Sequence, residues 1–260
     1  MELPRRAKED RFTPPGRYGE LESQIRRHVR GHAVPILLMY AFDMRSRIGP
    51  YVFTDKVLVP GALPAVAAAL YAASLTNLRV VMPLWNPNLR PSQARIDGRP
   101  PEMLLISAMQ IHSAAAYRLV HDAWDLGDDR PLIVVGGPKA IYQPWDLFGL
   151  SPDGRESADV VVTGEEFVLL ELLDRTLEFK RPGDIMRGAF ERARRAGALE
   201  NSKGERKAIQ GRIRPGANVQ PEGGAAAGIV PRPACAVHQS RDRQAHRAPE
   251  REQREMGRTG

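Results

Sequence analysis

Apolar runs with little polar alternation punctuate the first two thirds of the chain: VPILLMY at 34–40, LRVVMPL at 78–84, MLLIS at 103–107, LIVV at 132–135 and ADVVVTG at 158–164. A strand with one wet face alternates apolar and polar positions, whereas a strand covered on both faces reads as a continuous apolar run. These five segments are therefore expected to be buried strands. The stretches between them have a helical character. LPAVAAALYAASL at 63–75 is Ala/Leu-rich, with Pro64 tolerated in a first turn. IHSAAAYRLVHDAWDL at 111–126 sets Ala115, Leu119, Val120, Ala123 and Leu126 largely on one face, the mark of an amphipathic helix. A short helix is expected around 143–149, a longer one over EFVLLELLDRTLEF, and another within the charged entry segment LESQIRRHVR.

Strands alternating with helices imply parallel neighbours, because parallel pairing needs a crossover connection. The predicted fold is α/β: a doubly wound, flavodoxin-like (Rossmann-like) parallel five-stranded sheet. It occupies residues 33–182, after an N-terminal extension at 1–32 and before a helical linker at 183–200 and a disordered basic tail at 201–260. In such a sheet a ligand lies beyond the carboxyl ends of the strands, where the strand order reverses. That rule gathers the segments YAFDMRSRIG, PLWNPN, ISAMQIHSA, VGGPKAIY and VTGEEF on one rim. Ser107, Gly136, Gly137, Gly164 and Glu165 then share an edge rich in small residues, with backbone donors exposed and room for a bulky group.

Charge alters the picture less than its total suggests. The net +7 points first to a polyanionic partner. Residues 201–260, however, hold twelve Lys/Arg against six Asp/Glu, so the remainder of the chain is close to neutral. The same tail has no Phe, Trp, Tyr or Leu, too little apolar surface to offset chain entropy, hence the expectation of disorder. It has no aromatic interleaving and no basic helical stripe, so nucleic acid is not the expected partner. The abrupt change in composition after RRAGALE is expected to mark a gene boundary or an altered reading frame. Cys235 is the one cysteine, which excludes an internal disulfide framework and any multi-cysteine metal site within the chain and fits a reducing compartment. No uninterrupted apolar run reaches membrane-spanning length, and MELPRRAKEDRF lacks the apolar core of a secretory signal, so a cytoplasmic protein free of membrane is expected.

Common nucleotide and hydrolase motifs are missing: there is no GxGxxG, no GxxxxGK[ST] and no GxSxG. His112 and His121 have no Cys or carboxylate at metal-ligand spacing and read as solvent-facing or as caps on a core edge. Asp43, after the first strand, reads as a solvated turn residue or an acid/base group. Glu165 and Glu166 at a helix start are explained by the helix dipole. Trp124 reads as helix packing, and Trp85 as a loop anchor or a flank of the ligand rim.

The order of the strand ends is more informative than any one of them. A strand ending Ile-Ser, a strand ending Val-Val-Gly-Gly-Pro, and ADVVVTGEE leading into an apolar helix together resemble the N-terminal cobalamin-binding domain of radical S-adenosylmethionine enzymes, over about residues 34–180. The resemblance implies cobalamin as cofactor and a corrinoid site made by Ser107, Ala108, Met109, Gly136, Gly137, Pro138, Gly164 and Glu165. Ser107 would hydrogen-bond the nucleotide tail, Gly136 and Gly137 would let that tail pass between strand and helix, and Gly164 and Glu165 would border the channel. Two features depart from related patterns. Arg45 stands where cobalamin-dependent mutases place the cobalt-ligating His, and arginine has no lone pair to give; Lys139 stands where His usually follows Gly-Gly-Pro. The larger departure is the absence of Cys-x-x-x-Cys-x-x-Cys, since three thiolates are needed to hold a 4Fe-4S cluster. The cluster and S-adenosylmethionine are thus expected only in a full-length relative or in a catalytic domain on another chain. A flavin- or nucleotide-binding flavodoxin-like domain and a non-catalytic regulatory α/β domain are the alternatives.

Overall fold

The computed structural model describes residues 14–30, 33–43, 60–83, 85–150 and 156–199, together with the backbone of 229–231. Along the chain run α1 (Arg17–His28), β1 (Ile36–Ala41), α2 (Ala62–Ala72), β2 (Leu78–Val81), β3 (Met103–Ala108), α3 (Ser113–Trp124), β4 (Leu132–Gly136), α4 (Pro138–Tyr142), β5 (Val160–Val162), α5 (Glu166–Glu178), α6 (Met186–Arg195) and β6 (Ile229–Pro231). The sheet order is β2-β1-β3-β4-β5-β6. The first five strands are all parallel, so the predicted doubly wound, flavodoxin-like sheet is what the chain forms. The reversal of order falls between β1 and β3, which pair along their whole length from Ile36↔Met103 to Ala41↔Ala108.

Strand parity divides the interior in two. Ile36, Leu38, Met103, Leu105, Leu132, Val134, Val160 and Val162 face α1, α2, α5 and α6. Leu37, Met39, Leu104, Ile106, Ile133, Val135 and Val161 face α3, α4 and the coil around Leu147. Every residue of β1 and β3 is buried, which is why neither reads as alternating. Helix α5 buries Val168, Leu169, Leu170, Leu172, Leu173 and Leu177, more than one stripe can supply, because it is packed against α1 and α6 as well as lying over the sheet. Each such side chain stabilises the fold by about 1.5–3 kcal/mol.

Several boundaries differ from the sequence reading. Residues 183–200, expected as a helical linker, do hold a helix, α6, whose Met186, Phe190 and Ala193 are buried with the first core layer. Within the N-terminal extension, Leu21 and Ile25 of α1 enter the same layer. The short helix expected at 143–149 is a 3-10 turn over Pro144–Leu147, and the α-helix of this crossover is the preceding α4, which Pro138 opens at its first turn. The tail is not featureless throughout, since Ile229–Pro231 pair antiparallel with β5 from Ile229↔Val162 to Pro231↔Val160. Proline is tolerated on an edge strand such as this one. The rest of 201–260, including Cys235, and the segment with Arg45 lie outside the described residues. Among the described residues, no helix is long and apolar enough to cross a membrane.

The amino-terminal edge of the sheet is closed by a charged lock. Arg130 donates from both terminal nitrogens to the two carboxylate oxygens of Asp159, at 2.6 and 2.8 Å. One of those oxygens also accepts from Ile133 N–H at 2.9 Å. The guanidinium lies 3.9 Å from the Trp124 ring centroid, and Trp124 Nε1 donates to the Ser157 carbonyl at 2.9 Å. Trp124 is thus a packing residue, as its place on the helix suggested.

Candidate site at the switch point

At the carboxyl edge, β1, β3 and β4 end side by side: Tyr40 pairs with Ser107, and Ser107 with Gly136. Ser107 is buried, Met109 is exposed, and Pro138 begins α4, where its carbonyl accepts a long bond of 3.4 Å from Gln110 Nε2. Ala108 is fully buried. Gly164 and Glu165 follow β5 on the same edge; Glu165 is exposed at the N-cap of α5, with no side-chain cap, and its carbonyl accepts from Val168 N–H at 3.0 Å. The residues named from sequence therefore share one rim, with Ser107, Gly136 and Gly137 in closest register.

The two glycines have different reasons for being glycine. Gly137 has φ +87° and ψ −175°, a backbone conformation open essentially to glycine alone. A Cβ there would lie 2.9 Å from the Ala108 carbonyl oxygen, 3.0 Å from Ser107 Oγ and 3.1 Å from Ala108 N. Expected as space for a cofactor tail, the bare backbone at Gly137 is instead occupied by the end of β3 itself. A Cβ on Gly136 would meet only the Val162 carbonyl, at 3.8 Å. Of the pair, Gly136 is the one that leaves room at the rim.

His112, read from sequence as solvent-facing or a cap on a core edge, and Asp43, read as a solvated turn residue or an acid/base group, form a buried joint at the reversal point. His112, in the 3-10 turn Gln110–His112 between β3 and α3, is 3 % exposed. Its ring lies 4.5 Å from Phe42 and edge-on to Tyr40 at 5.8 Å, so it does cap a core edge. Its Nδ1 accepts the backbone N–H of Asp43 at 3.2 Å. Asp43 is itself buried, not a solvated turn residue, and its carboxylate stands 3.8 Å from the guanidinium of Arg118 on α3. The sequence places both residues within a few positions of the ends of the strands that flank the reversal, though nothing in it pairs one with the other. His121 Nδ1, on α3, is in hydrogen-bond contact with the Glu156 carboxylate.

Lys139, in place of the histidine that the resemblance leads one to expect, is 2 % exposed. Its ammonium donates to Gln143 Oε1 at 2.7 Å and Asp146 Oδ2 at 2.6 Å, so it is consumed within its own crossover. Trp85 is exposed beyond β2, and Met109 and Ile111 beyond β3, which puts apolar surface on the rim. Among the described residues no group of three or more His, Cys, Asp or Glu is arranged to hold a metal ion. An open groove of about 600 Å³ lined by Thr76, Asn77, Arg79, Arg95 and Asp97 lies at the other end of β2, away from this rim.

Groups pushed from their ordinary titration range lie at the seam of α1 and α5. Burial raises the Glu171 carboxyl, with Arg175 and Arg17 opposing; Arg17 stops 3.8 Å away. Burial likewise raises Asp174, opposed by His28 at 3.5 Å. Tyr18 is raised by burial and by the nearby Glu166 and Glu22.

Fold and rim together define a doubly wound α/β domain with small residues on the carboxyl edge beside its β1/β3 reversal. Compared with known protein families, with curated proteins and with solved structures, the chain matches none.

Proposed function

We propose that the chain is a cobalamin-binding module related to radical S-adenosylmethionine proteins and not catalytic alone. The observation that carries this reading is the adjacency of Ser107 and Gly136 at the carboxyl edge, next to the strand-order reversal where ligands of such sheets bind. A broad, amide-rimmed corrinoid needs close backbone, hydrogen-bond donors and apolar flanks. Gly136, where a Cβ would meet one carbonyl at 3.8 Å, with exposed Met109, Ile111 and Trp85 on the same edge, fits that need. Ser107 and the backbone before α4 would hold the cofactor, and Gly164 and Glu165 would border it. Bound cobalamin would supply carbon–cobalt chemistry. The cluster and S-adenosylmethionine would have to come from a partner domain, since one cysteine cannot replace three.

The test is an absorbance titration of the full chain with hydroxocobalamin and methylcobalamin, followed by gel filtration, with flavin mononucleotide as a parallel arm. Co-elution of corrinoid near one equivalent supports the proposal. Retention of flavin alone would reassign the rim, and folded protein that retains neither would leave a regulatory α/β domain.

A further inference from the structure

We infer that His112 is a positioning residue that ties the end of β1 to the end of β3 across the reversal point and makes the ligand rim sensitive to pH. For the ligand, this rests on the cobalamin reading; for the joint itself, it rests on geometry alone. The Nδ1 lone pair of His112 accepts the Asp43 N–H, so in the neutral ring the proton sits on Nε2. A second proton would go to Nδ1, where it meets the Asp43 N–H head-on: the ring then has two donors and nothing with which to accept. Protonation and this bond exclude each other. The same bookkeeping makes the imidazole a poor metal ligand in this arrangement, because its one free lone pair is already used.

The joint spans 69 residues of sequence and lies at the carboxyl edge beside the strand-order reversal. Loss of the bond frees the chain just where β1 hands over to the segment after Asp43, one strand away from Ser107. Among the described residues, Asp43, whose backbone N–H meets the ring, carries a carboxylate that faces the Arg118 guanidinium on α3 at 3.8 Å. Tyr40 and Phe42 of the β1 end contribute ring faces and edges and no formal charge.

The experiment uses the full chain and two variants, His112→Asn, whose side-chain oxygen restores an acceptor at the Nδ1 position without titrating, and His112→Leu, which has none. Hydroxocobalamin retention is measured from pH 5.5 to 8.5, and the exchange rate of the Asp43 amide is followed by nuclear magnetic resonance over the same range. The parent should lose about tenfold in affinity as the imidazole protonates, the size of one buried hydrogen bond. His112→Asn should keep the high-pH affinity and a flat profile, and His112→Leu should be weak at every pH. The Asp43 amide should be protected at high pH in the parent, at all pH values in His112→Asn and at none in His112→Leu. If corrinoid binds nowhere, the cobalamin reading fails and the amide data still decide the joint. An Asp43 amide whose protection is independent of pH in the parent, or unchanged in His112→Leu, would overturn the inference.

Discussion

The two ends of the sheet hold polar groups in opposite ways. At the amino edge both oxygens of Asp159 are taken by Arg130, one of them also by Ile133 N–H, and the guanidinium is roofed by Trp124. At the carboxyl edge β3 and β4 finish in Ser107 and Gly136, Arg118 stops 3.8 Å from Asp43, and apolar side chains stand exposed. The Ala-Asp of the fifth strand and the Gly-Gly of the fourth are both part of the pattern that the sequence reading likens to cobalamin-binding domains. Only part of that pattern bears on a ligand. Ala158 and Asp159 close the fold at the far edge, Gly137 makes way for β3, and Ser107 with Gly136 is what the proposed binding would use.

The sharpest way to break the comparison is Asp159→Ala. It leaves the Arg130 guanidinium buried without its partner, and removing one member of a buried pair costs about 3–5 kcal/mol. Urea unfolding should show this loss, while folded protein keeps its ligand affinity; a change under about 1 kcal/mol would erase the contrast between edges. Next is Gly137→Ala, which forces an L-residue into a glycine-only conformation and against the Ala108 carbonyl. A destabilisation of about 1–3 kcal/mol is expected from backbone strain before the clash is counted, measured by thermal unfolding. Gly136→Ala should leave stability within about 0.5 kcal/mol of the parent yet weaken corrinoid retention, and equal effects at the two glycines would contradict their separate roles.

The smallest effect lies at the α1–α5 seam. Glu171 has a folded pKa raised by burial, so its contribution to stability is present below the ordinary carboxylate range and is lost as pH rises through the raised value. Glu171→Gln should therefore gain on the parent from pH 4 to pH 7.5. Urea midpoints at the two pH values check it, and a constant difference would mean that Arg17 compensates the buried charge in full.

Much of the architecture is visible in the chain itself. Strands β1, β3, β4 and β5 are legible because strands covered on both faces must be apolar throughout, and α5 because its leucines outnumber one helical stripe; β2, expected to be buried as well, is an edge strand with Arg79 and Val80 exposed. Helix α4 is not, since five residues after a Gly-Gly-Pro turn show no period. Nor is the docking of α1 and α6: the spacing of Met186, Ala189, Phe190 and Ala193 announces an apolar face but not what covers it. In the site, small residues at strand ends mark the rim, whereas the bond between Asp43 and His112 joins positions with no local relation.

Sequence alone determined the parallel α/β order, the rim on which the strand ends converge, and the lack of thiolates for a cluster. Those are properties of local pattern, connectivity and composition, which need no coordinates. Tertiary structure alone decided that Gly137 serves β3, that Asp159 is locked by Arg130, and that His112 spends its lone pair on Asp43. Each of these depends on which strand lies beside which at ångström range, and a one-dimensional pattern does not encode that distance.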